Sequence, residues 1–187
     1  MVAGVLRRGQ FRVKRARHPG TRKEALMEWE RMEEYVGQLA GKLTARGWTL
    51  ATAESCTGGL IACELTNVSG SSGWYLGGVV AYANSVKQAL LDVPAETLAA
   101  HGAVSREVVL AMALGAARRL GAQCALSVSG VAGPTGGTLE KPVGTVWVGW
   151  EVNGVADAEL FRFEGDRLVV KRQSALAAVR GMAARLG

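Results

Sequence analysis

The chain has 187 residues, about half of them hydrophobic, which is enough to bury the core of one domain and too few for two ordinary ones. It contains no apolar run of about 18 residues or more and no pattern of a secretory signal peptide, so we predict a cytoplasmic protein without a membrane span. The net charge of +6 comes from the N-terminal end of the chain. Residues 1–23 contain eight of the 22 basic residues and no acidic one, whereas residues 24–187 have a net charge of −2.

Residues 1–23 lack any hydrophobic period and include His18-Pro19-Gly20, which predicts a disordered basic tail. Such a tail could contact nucleic acid. It could also be the remnant of an upstream segment, or result from a translation start assigned too early. The folded domain is therefore predicted to occupy residues 24–187.

The number and positions of the cysteines and histidines argue against several kinds of functional site. Three widely spaced cysteines predict neither a disulfide framework nor a zinc site. His18 lies in the basic tail and His101 has no obvious partner, so a histidine-based triad or a histidine-rich metal site is not expected.

The first half of the domain alternates helices with strands. Apolar residues at spacings of three and four predict a helix from Glu24 that ends at Gly47. A strand over 48–53 leads into Ser55, and a helix is expected to begin near Thr57. A second strand over 78–83 is followed by a short helix, capped by Asn84 or Ser85, that carries Lys87.

The second half predicts helices that begin after Pro94 and Ser105, the latter reaching about Leu120, and then a buried strand over 124–129. Asn153-Gly154 between two strand-like runs predicts a hairpin. A closing helix starts near Asp166. Together these elements indicate a single α/β domain with three layers, α/β/α, and a mixed sheet of about five strands that includes the C-terminal hairpin.

Ligand sites in such sheets lie beyond the carboxyl ends of the strands. Ser55 follows one strand, at a turn where a serine hydroxyl could meet free amides of the next helix, but it could also simply cap that helix. A serine nucleophile needs a base, and without histidine Lys87 is a candidate, provided that its pKa is lowered. Tyr82 could reach the same cleft. The alternative is a solvated Lys87 and a Tyr82 that covers the core.

The third strand end is a glycine-rich loop, Gly130 to Gly137. Its amides could wrap a small polar ligand, or the loop could be a flexible connection to the hairpin. It lacks the features of a P-loop or of a dinucleotide fingerprint. Lys141, Arg167 and Arg172 are further candidates for phosphate contacts or ordinary surface charges.

As an ordered set, these segments resemble the C-terminal domain of the competence/damage-inducible CinA family. The resemblance covers about residues 30–185 and rests on Thr52-Ala53-Glu54-Ser55-Cys56-Thr57-Gly58-Gly59, Gly70-Ser71-Ser72, Tyr82-Ala83-Asn84 with Lys87, His101-Gly102-Ala103-Val104-Ser105, Ser129-Gly130-Val131-Ala132-Gly133-Pro134, Gly136-Gly137, Lys141-Pro142-Val143-Gly144-Thr145-Val146 and Gly165-Asp166-Arg167.

The resemblance implies a nicotinamide-nucleotide amidase, which converts nicotinamide mononucleotide (NMN) to nicotinate mononucleotide and ammonia without a metal or organic cofactor. It implies Ser55 as nucleophile, Lys87 as general base and Tyr82 as an assisting hydroxyl. The expected substrate-binding residues are Thr57, Gly58, Ser129, Gly130 and Gly133. Members of the family are often dimeric, so a homodimer is a further expectation.

One alternative is a non-catalytic accessory protein of DNA uptake or damage response, whose basic tail contacts DNA. Another is an amidase of the same family with a different substrate, since pocket specificity depends on geometry that motifs do not report.

Overall fold

The computed structural model describes residues 27–187, so the predicted basic tail, residues 1–23, lies outside the described range. The described chain forms one five-stranded mixed sheet between two layers of helices. The predicted three-layer α/β/α fold is therefore confirmed. Within residues 27–187, no helix has the length and hydropathy needed to cross a bilayer.

The elements follow one another in an order close to the predicted one. They are α1 (Met32–Arg46), β1 (Leu50–Glu54), α2 (Leu60–Thr66), a 3₁₀ turn (Ser71–Gly73), β2 (Tyr75–Val80), α3 (Asn84–Leu91), α4 (Ala95–His101), α5 (Arg106–Leu120), β3 (Cys124–Gly130), β4 (Thr145–Val152), β5 (Val155–Arg162) and α6 (Arg167–Arg185).

The strand order is β2-β1-β3-β4-β5. Strand β1 runs parallel to both β2 and β3, whereas β4 and β5 form an antiparallel hairpin on the other side of β3. The carboxyl ends of β1, β2 and β3 therefore lie along the same edge of the sheet. Strand β3 is central and buried over six of its seven residues, as its continuous apolar run predicts.

Each face of the sheet has its own hydrophobic cluster. Residues of α1, α2 and α6 cover one face, and residues of α3, α4 and α5 cover the other. Helix α5 crosses the end of α3 closely, since a Cβ atom at Gly115 would lie 2.1 Å from the carbonyl oxygen of Leu91. This approach fixes α3, the helix that carries Lys87.

The predictions for the hairpin turn and for the starts of α5 and α6 are confirmed. Asn153 and Gly154 have φ angles of 47° and 88°, as a two-residue hairpin turn with left-handed residues requires. Ser105 accepts a hydrogen bond from the Val108 amide, and Asp166 accepts two from the first turn of α6.

Some boundaries differ from the predictions. The strand expected over 78–83 is β2, Tyr75–Val80, and the helix expected near Thr57 begins at Leu60. Helix α3 begins at Asn84 with Ala83 at the N-cap and no side-chain cap, so the predicted capping by Asn84 or Ser85 is wrong. Contacts with α5 hold this helix in place instead.

Candidate active site

The carboxyl ends of β1, β2 and β3 meet around one open cavity of about 190 Å³. The three segments singled out in the sequence thus converge at the predicted edge of the sheet. The cavity is lined by Ser55, Cys56, Tyr82, Lys87, Ala103, Val104, Ser129, Gly130, Ala132 and Arg167.

Ser55 lies directly beyond β1, at the floor of the cavity. Its amide donates a hydrogen bond of 2.9 Å to the carbonyl of Val128 on β3, which ties the serine backbone to the central strand. The residue is 8% exposed, so its hydroxyl is reached through the cavity and not from open solvent.

Lys87 reaches the same floor from α3. It is 1% exposed, and its Nζ lies 3.1 Å from Ser55 Oγ, 2.8 Å from the carbonyl oxygen of Ala81 and 3.0 Å from that of Tyr82. Burial lowers the pKa of Lys87 below the ordinary lysine value of 10.5, with the Cys56 thiol acting in the opposite direction. The solvated lysine that the sequence also allowed is not observed.

These contacts are suited to a lysine that accepts a proton. A neutral amine has two N–H bonds and one lone pair. If the carbonyls of Ala81 and Tyr82 take the two N–H bonds, the lone pair faces Ser55 Oγ. A serine next to a desolvated amine is the arrangement that activates a hydroxyl nucleophile without histidine.

Tyr82 stands at the rim of the cavity and is 63% exposed. Its phenolic oxygen accepts a hydrogen bond of 3.2 Å from Arg167, and its backbone carbonyl, not its side chain, contacts Lys87. Arg167 also donates to the carbonyl of Gly133 at 2.8 Å. The first residue of α6 thus joins the segments that follow β2 and β3.

The five residues expected to bind substrate have different surroundings. Ser129 and Gly130 line the cavity, and the Ser129 hydroxyl donates to the carbonyl of Ala103 at 2.7 Å. Gly133 does not line the cavity, although its carbonyl anchors Arg167. Thr57 is fully buried, and its Oγ1 has no hydrogen-bond partner among the described residues. Gly58 is exposed, with a left-handed φ of 63°.

A match to a family model shows which protein family this chain belongs to. The model of the CinA C-terminal domain matches residues 32–186, a range that includes every strand and every residue of the cavity. The chain belongs to the CinA C-terminal domain family.

Individual relatives agree with this assignment. The nicotinamide-nucleotide amidohydrolase PncC of Escherichia coli (strain K12) is 48% identical over 150 residues, which cover 79% of this chain and 88% of PncC. A CinA-like protein of Geobacter sp. (strain M21) is 53% identical over 138 residues, 74% of this chain, and this chain spans about a third, 33%, of that longer relative.

A solved structure supports the fold. The competence-damaged protein (CinA) superfamily protein from Klebsiella pneumoniae 700603 superposes with a TM-score of 0.80 at 40% sequence identity. The match covers 83% of this chain and 97% of that one.

Sequence reasoning missed the role of Glu54 in this CinA C-terminal domain. Glu54 is 1% exposed, and its carboxylate accepts hydrogen bonds from the amides of Gly59, Ile61 and Ala62 at 2.8–3.1 Å. The carboxylate therefore occupies the first amides of α2. A carboxylate at the end of a buried strand, directly before a Ser/Thr/Gly turn, is the sequence signal that could have indicated this cap.

The sequence suggested that free amides at the start of α2 could meet the Ser55 hydroxyl, and this expectation is wrong. The first turn of α2 does not offer free N–H groups, because Glu54 binds them. The amides of Cys56 and Thr57, by contrast, donate no hydrogen bond to a backbone carbonyl within residues 27–187. These two groups lie directly after Ser55 and could bind a developing negative charge.

Cys56 also lines the cavity, beside Ser55. Burial raises the pKa of its thiol to about 12, with the nearby carboxylate of Glu54 adding to the effect. A thiol with such a pKa remains protonated near neutral pH and is a poor nucleophile. Ser55 is therefore the better nucleophile of the two.

Two of the three basic candidates for phosphate contacts lie elsewhere. The Arg172 guanidinium stacks over the Trp29 ring, and Lys141 donates to the carbonyl of His101. Only Arg167 reaches the cavity. Across residues 27–187, no group of three or more His, Cys, Asp or Glu side chains is arranged to hold a metal ion.

Proposed function

We propose that this protein is a nicotinamide-nucleotide amidase that hydrolyses the carboxamide of NMN to nicotinate mononucleotide and ammonia. The observation that carries the proposal is the 3.1 Å separation between the buried Nζ of Lys87 and Ser55 Oγ at the floor of a cavity. The name of the E. coli relative, which is 48% identical over most of both chains, supports the choice of substrate.

In the first step, neutral Lys87 takes the proton of Ser55 while Oγ attacks the carboxamide carbon. The carbonyl oxygen becomes an oxyanion, which the amides of Cys56 and Thr57 stabilise. These donors are already in place in the folded protein, so little reorganisation is needed when the charge develops.

In the second step, the protonated Lys87 donates its proton to the amide nitrogen of the tetrahedral intermediate. The C–N bond breaks and ammonia leaves. The product is an ester between the nicotinate carbonyl and Ser55 Oγ, and Lys87 is neutral again.

Water then enters the position that ammonia has left. Lys87 takes a proton from this water, and the resulting hydroxide attacks the ester. The C–O bond to Ser55 breaks while protonated Lys87 returns its proton to Ser55 Oγ, and nicotinate mononucleotide leaves as the carboxylic acid, which then loses its proton to water. In both the formation and the hydrolysis of the ester, Lys87 first accepts a proton and then donates it. The enzyme therefore returns to its starting state.

We assign supporting roles to the remaining predicted residues. Tyr82, fixed by Arg167 at the rim, orients the bound pyridine ring or relays a proton, and Ser129 and Gly130 shape the wall of the cavity. Thr57 and Gly58 shape the turn next to Ser55, and Gly133 holds Arg167.

The proposal is tested by incubating the purified protein with NMN. We expect ammonia and nicotinate mononucleotide to form in equal amounts, measured by a coupled ammonia assay and by chromatography. Free nicotinamide, nicotinamide riboside and unrelated linear amides serve as comparison substrates. A wild-type protein that hydrolyses none of them would contradict the proposal, and turnover of another amide alone would identify a different substrate.

The pH dependence of kcat/KM reports on Lys87. Burial lowers its pKa, and only the neutral amine can act as the base. The rate should therefore rise with pH through a transition that lies below the ordinary lysine value of 10.5. The measurement is a pH–rate profile on the wild type, with stability followed at each pH. A rate that falls over this interval while the fold stays intact would argue against a lysine base.

A further inference from the structure

Ser129 lies next to the proposed nucleophile at the floor of the cavity. The amide of Ser55 donates to the carbonyl of Val128, the residue before Ser129 on β3. The Ser129 hydroxyl contacts the loop between α4 and α5, and the Ser55 hydroxyl contacts Lys87 on α3. Helices α3, α4 and α5 cover the same face of the sheet, so both hydroxyls and the Lys87 amine lie on the side of the cavity that these helices form.

The hydrogen bond of Ser129 fixes the direction of its proton. Its Oγ lies 2.7 Å from the carbonyl oxygen of Ala103, and the residue is 1% exposed. A carbonyl oxygen has no proton to give, so the hydroxyl must be the donor. A serine hydroxyl has one proton and two lone pairs, and this bond uses the proton. Towards the cavity, Ser129 can therefore act only as a hydrogen-bond acceptor.

The carbonyl that orients Ser129 is itself held in place. Three successive carbonyl oxygens before α5 accept hydrogen bonds from side chains of the β3–β4 loop, the α5 N-cap and β3, in the pairs Lys141–His101, Ser105–Gly102 and Ser129–Ala103. Gly102 has φ and ψ angles of 71° and 164°, a conformation that is essentially restricted to glycine. The direction of the Ser129 proton is therefore set by the folded chain before any ligand binds.

The oxygen and the NH₂ group of a carboxamide need opposite kinds of partner. The oxygen accepts hydrogen bonds, whereas the NH₂ group donates two. The amides of Cys56 and Thr57 belong to the turn that leads into α2, and α2 covers the face of the sheet opposite to α3 and α5. A carboxamide whose oxygen is bound at these amides turns its NH₂ group towards Lys87 and Ser129.

We propose that Ser129 accepts a hydrogen bond from the NH₂ group of the substrate and so selects carboxamides over the corresponding acids and esters. The proposal rests on the proposed function for the reaction and the substrate. An N–H group gains a hydrogen bond at Ser129, whereas a carboxylate or ester oxygen places its lone pairs against those of the hydroxyl. A site built to bind an N–H group rejects an analogue that lacks it, because its own polar group is then left unpaired.

The same hydroxyl serves the later steps of the reaction. When Lys87 has protonated the leaving nitrogen, its N–H groups become stronger donors to Ser129. The water that replaces ammonia can donate one hydrogen bond to Ser129 and give its other proton to Lys87, which directs the water oxygen to the ester carbon. Once the product has ionised, it has no proton left to donate to Ser129, and this favours its release.

The test compares NMN with the methyl ester of nicotinate mononucleotide, which has no N–H group at the reacting carbonyl. In the Ser129→Ala variant, the ratio of kcat/KM for NMN to that for the ester should fall about three- to tenfold, the expected effect of losing one neutral hydrogen bond. Ser129→Thr keeps the hydroxyl on the same carbon and should keep most of the preference. Ser129→Cys fills the same space with a weakly accepting sulfur and should lose it.

Ser127→Ala is the matched control. Ser127 lies two residues earlier on the same face of β3, and its buried hydroxyl donates to the carbonyl of Val109 at 2.6 Å, but it does not line the cavity. This variant loses the same kind of hydrogen bond away from the substrate, so we expect it to keep the preference for the amide. An unchanged ratio in Ser129→Ala, or an equal fall in Ser127→Ala, would overturn the proposal.

Direct binding separates this proposal from the proposed function. Titration calorimetry on Ser55→Ala, with and without Ser129→Ala, measures the affinities for NMN and for nicotinate mononucleotide without any turnover. We expect Ser129→Ala to shift the ratio of the two affinities towards the acid about three- to tenfold. Such a shift supports the proposal even if the wild type proves inactive on NMN. An unchanged ratio, or no measurable binding of either nucleotide, rejects it even if the wild type is active.

Discussion

Replacing Lys87 by methionine is expected to lower kcat for amide hydrolysis by about a thousandfold, within the range of 10²–10⁴ that general-base catalysis contributes. Methionine has a similar length and fills the same buried space, but it has no lone pair of comparable basicity. The expected loss follows from the 3.1 Å contact between Lys87 Nζ and Ser55 Oγ. Steady-state ammonia release on NMN measures it.

A variant that carries both Ser55→Ala and Lys87→Met tests whether the two residues act together. Ser55→Ala should reduce kcat at least as strongly as Lys87→Met, and the two changes together should cost little more than Ser55→Ala alone. Residues that act as one catalytic unit lose their joint contribution when either is removed, so their effects do not multiply. Multiplicative losses would show that Lys87 acts independently of Ser55.

Lys42→Met is a suitable control for the loss of a lysine. Lys42 also donates a hydrogen bond to a backbone carbonyl, that of Ala183, but it belongs to α1 and lies outside the cavity. We expect this variant to keep full activity. Folding of all variants is compared by thermal denaturation, because Lys87→Met leaves two carbonyls, those of Ala81 and Tyr82, without their donor.

The position of the candidate site could be predicted because it depends on topology. In a sheet with parallel β1, β2 and β3, the residues at or directly beyond the carboxyl end of each strand lie at one edge, so Ser55, Tyr82 and Ser129 had to be close. The hairpin was predictable for a similar reason, since Asn153-Gly154 specifies a turn by its backbone preferences alone.

The contacts of individual side chains could not be predicted in the same way. Two of the three hydrogen-bond partners of Lys87 are backbone carbonyls, which no pattern of residue types reveals. The bond between Tyr82 and Arg167 depends on how α6 packs across the sheet, and these residues are 85 positions apart in the chain. The late start of α2 was missed because the carboxylate of Glu54 turns back onto its first amides.

Glu54 provides the second large expected effect, on stability. Its buried carboxylate accepts three hydrogen bonds from the start of α2, and a hydrogen bond to a charged group contributes about 1.5–3 kcal/mol. Glu54→Ala removes all three and leaves three amides without an acceptor. We expect the free energy of unfolding to fall by about 3 kcal/mol or more, which is large for a single substitution.

Urea denaturation measures this loss as a lower midpoint at an unchanged slope. Glu96→Ala is the control, because Glu96 is exposed in the first turn of α4 and should change stability by less than about 1 kcal/mol. Equal destabilisation by the two variants would mean that the carboxylate of Glu54 contributes no more than a surface charge at a helix start.

Glu54→Gln tests whether the same carboxylate also positions the nucleophile. The amide retains one oxygen acceptor, so the protein should fold, but its NH₂ group faces an N–H donor that the carboxylate had satisfied. The turn from Ser55 to Gly59 then loses part of its support. Because Ser55 and the amides of Cys56 and Thr57 belong to this turn, kcat should fall while the KM for NMN changes little. A folded Glu54→Gln variant with wild-type kcat would confine Glu54 to stability and remove it from the support of the catalytic turn.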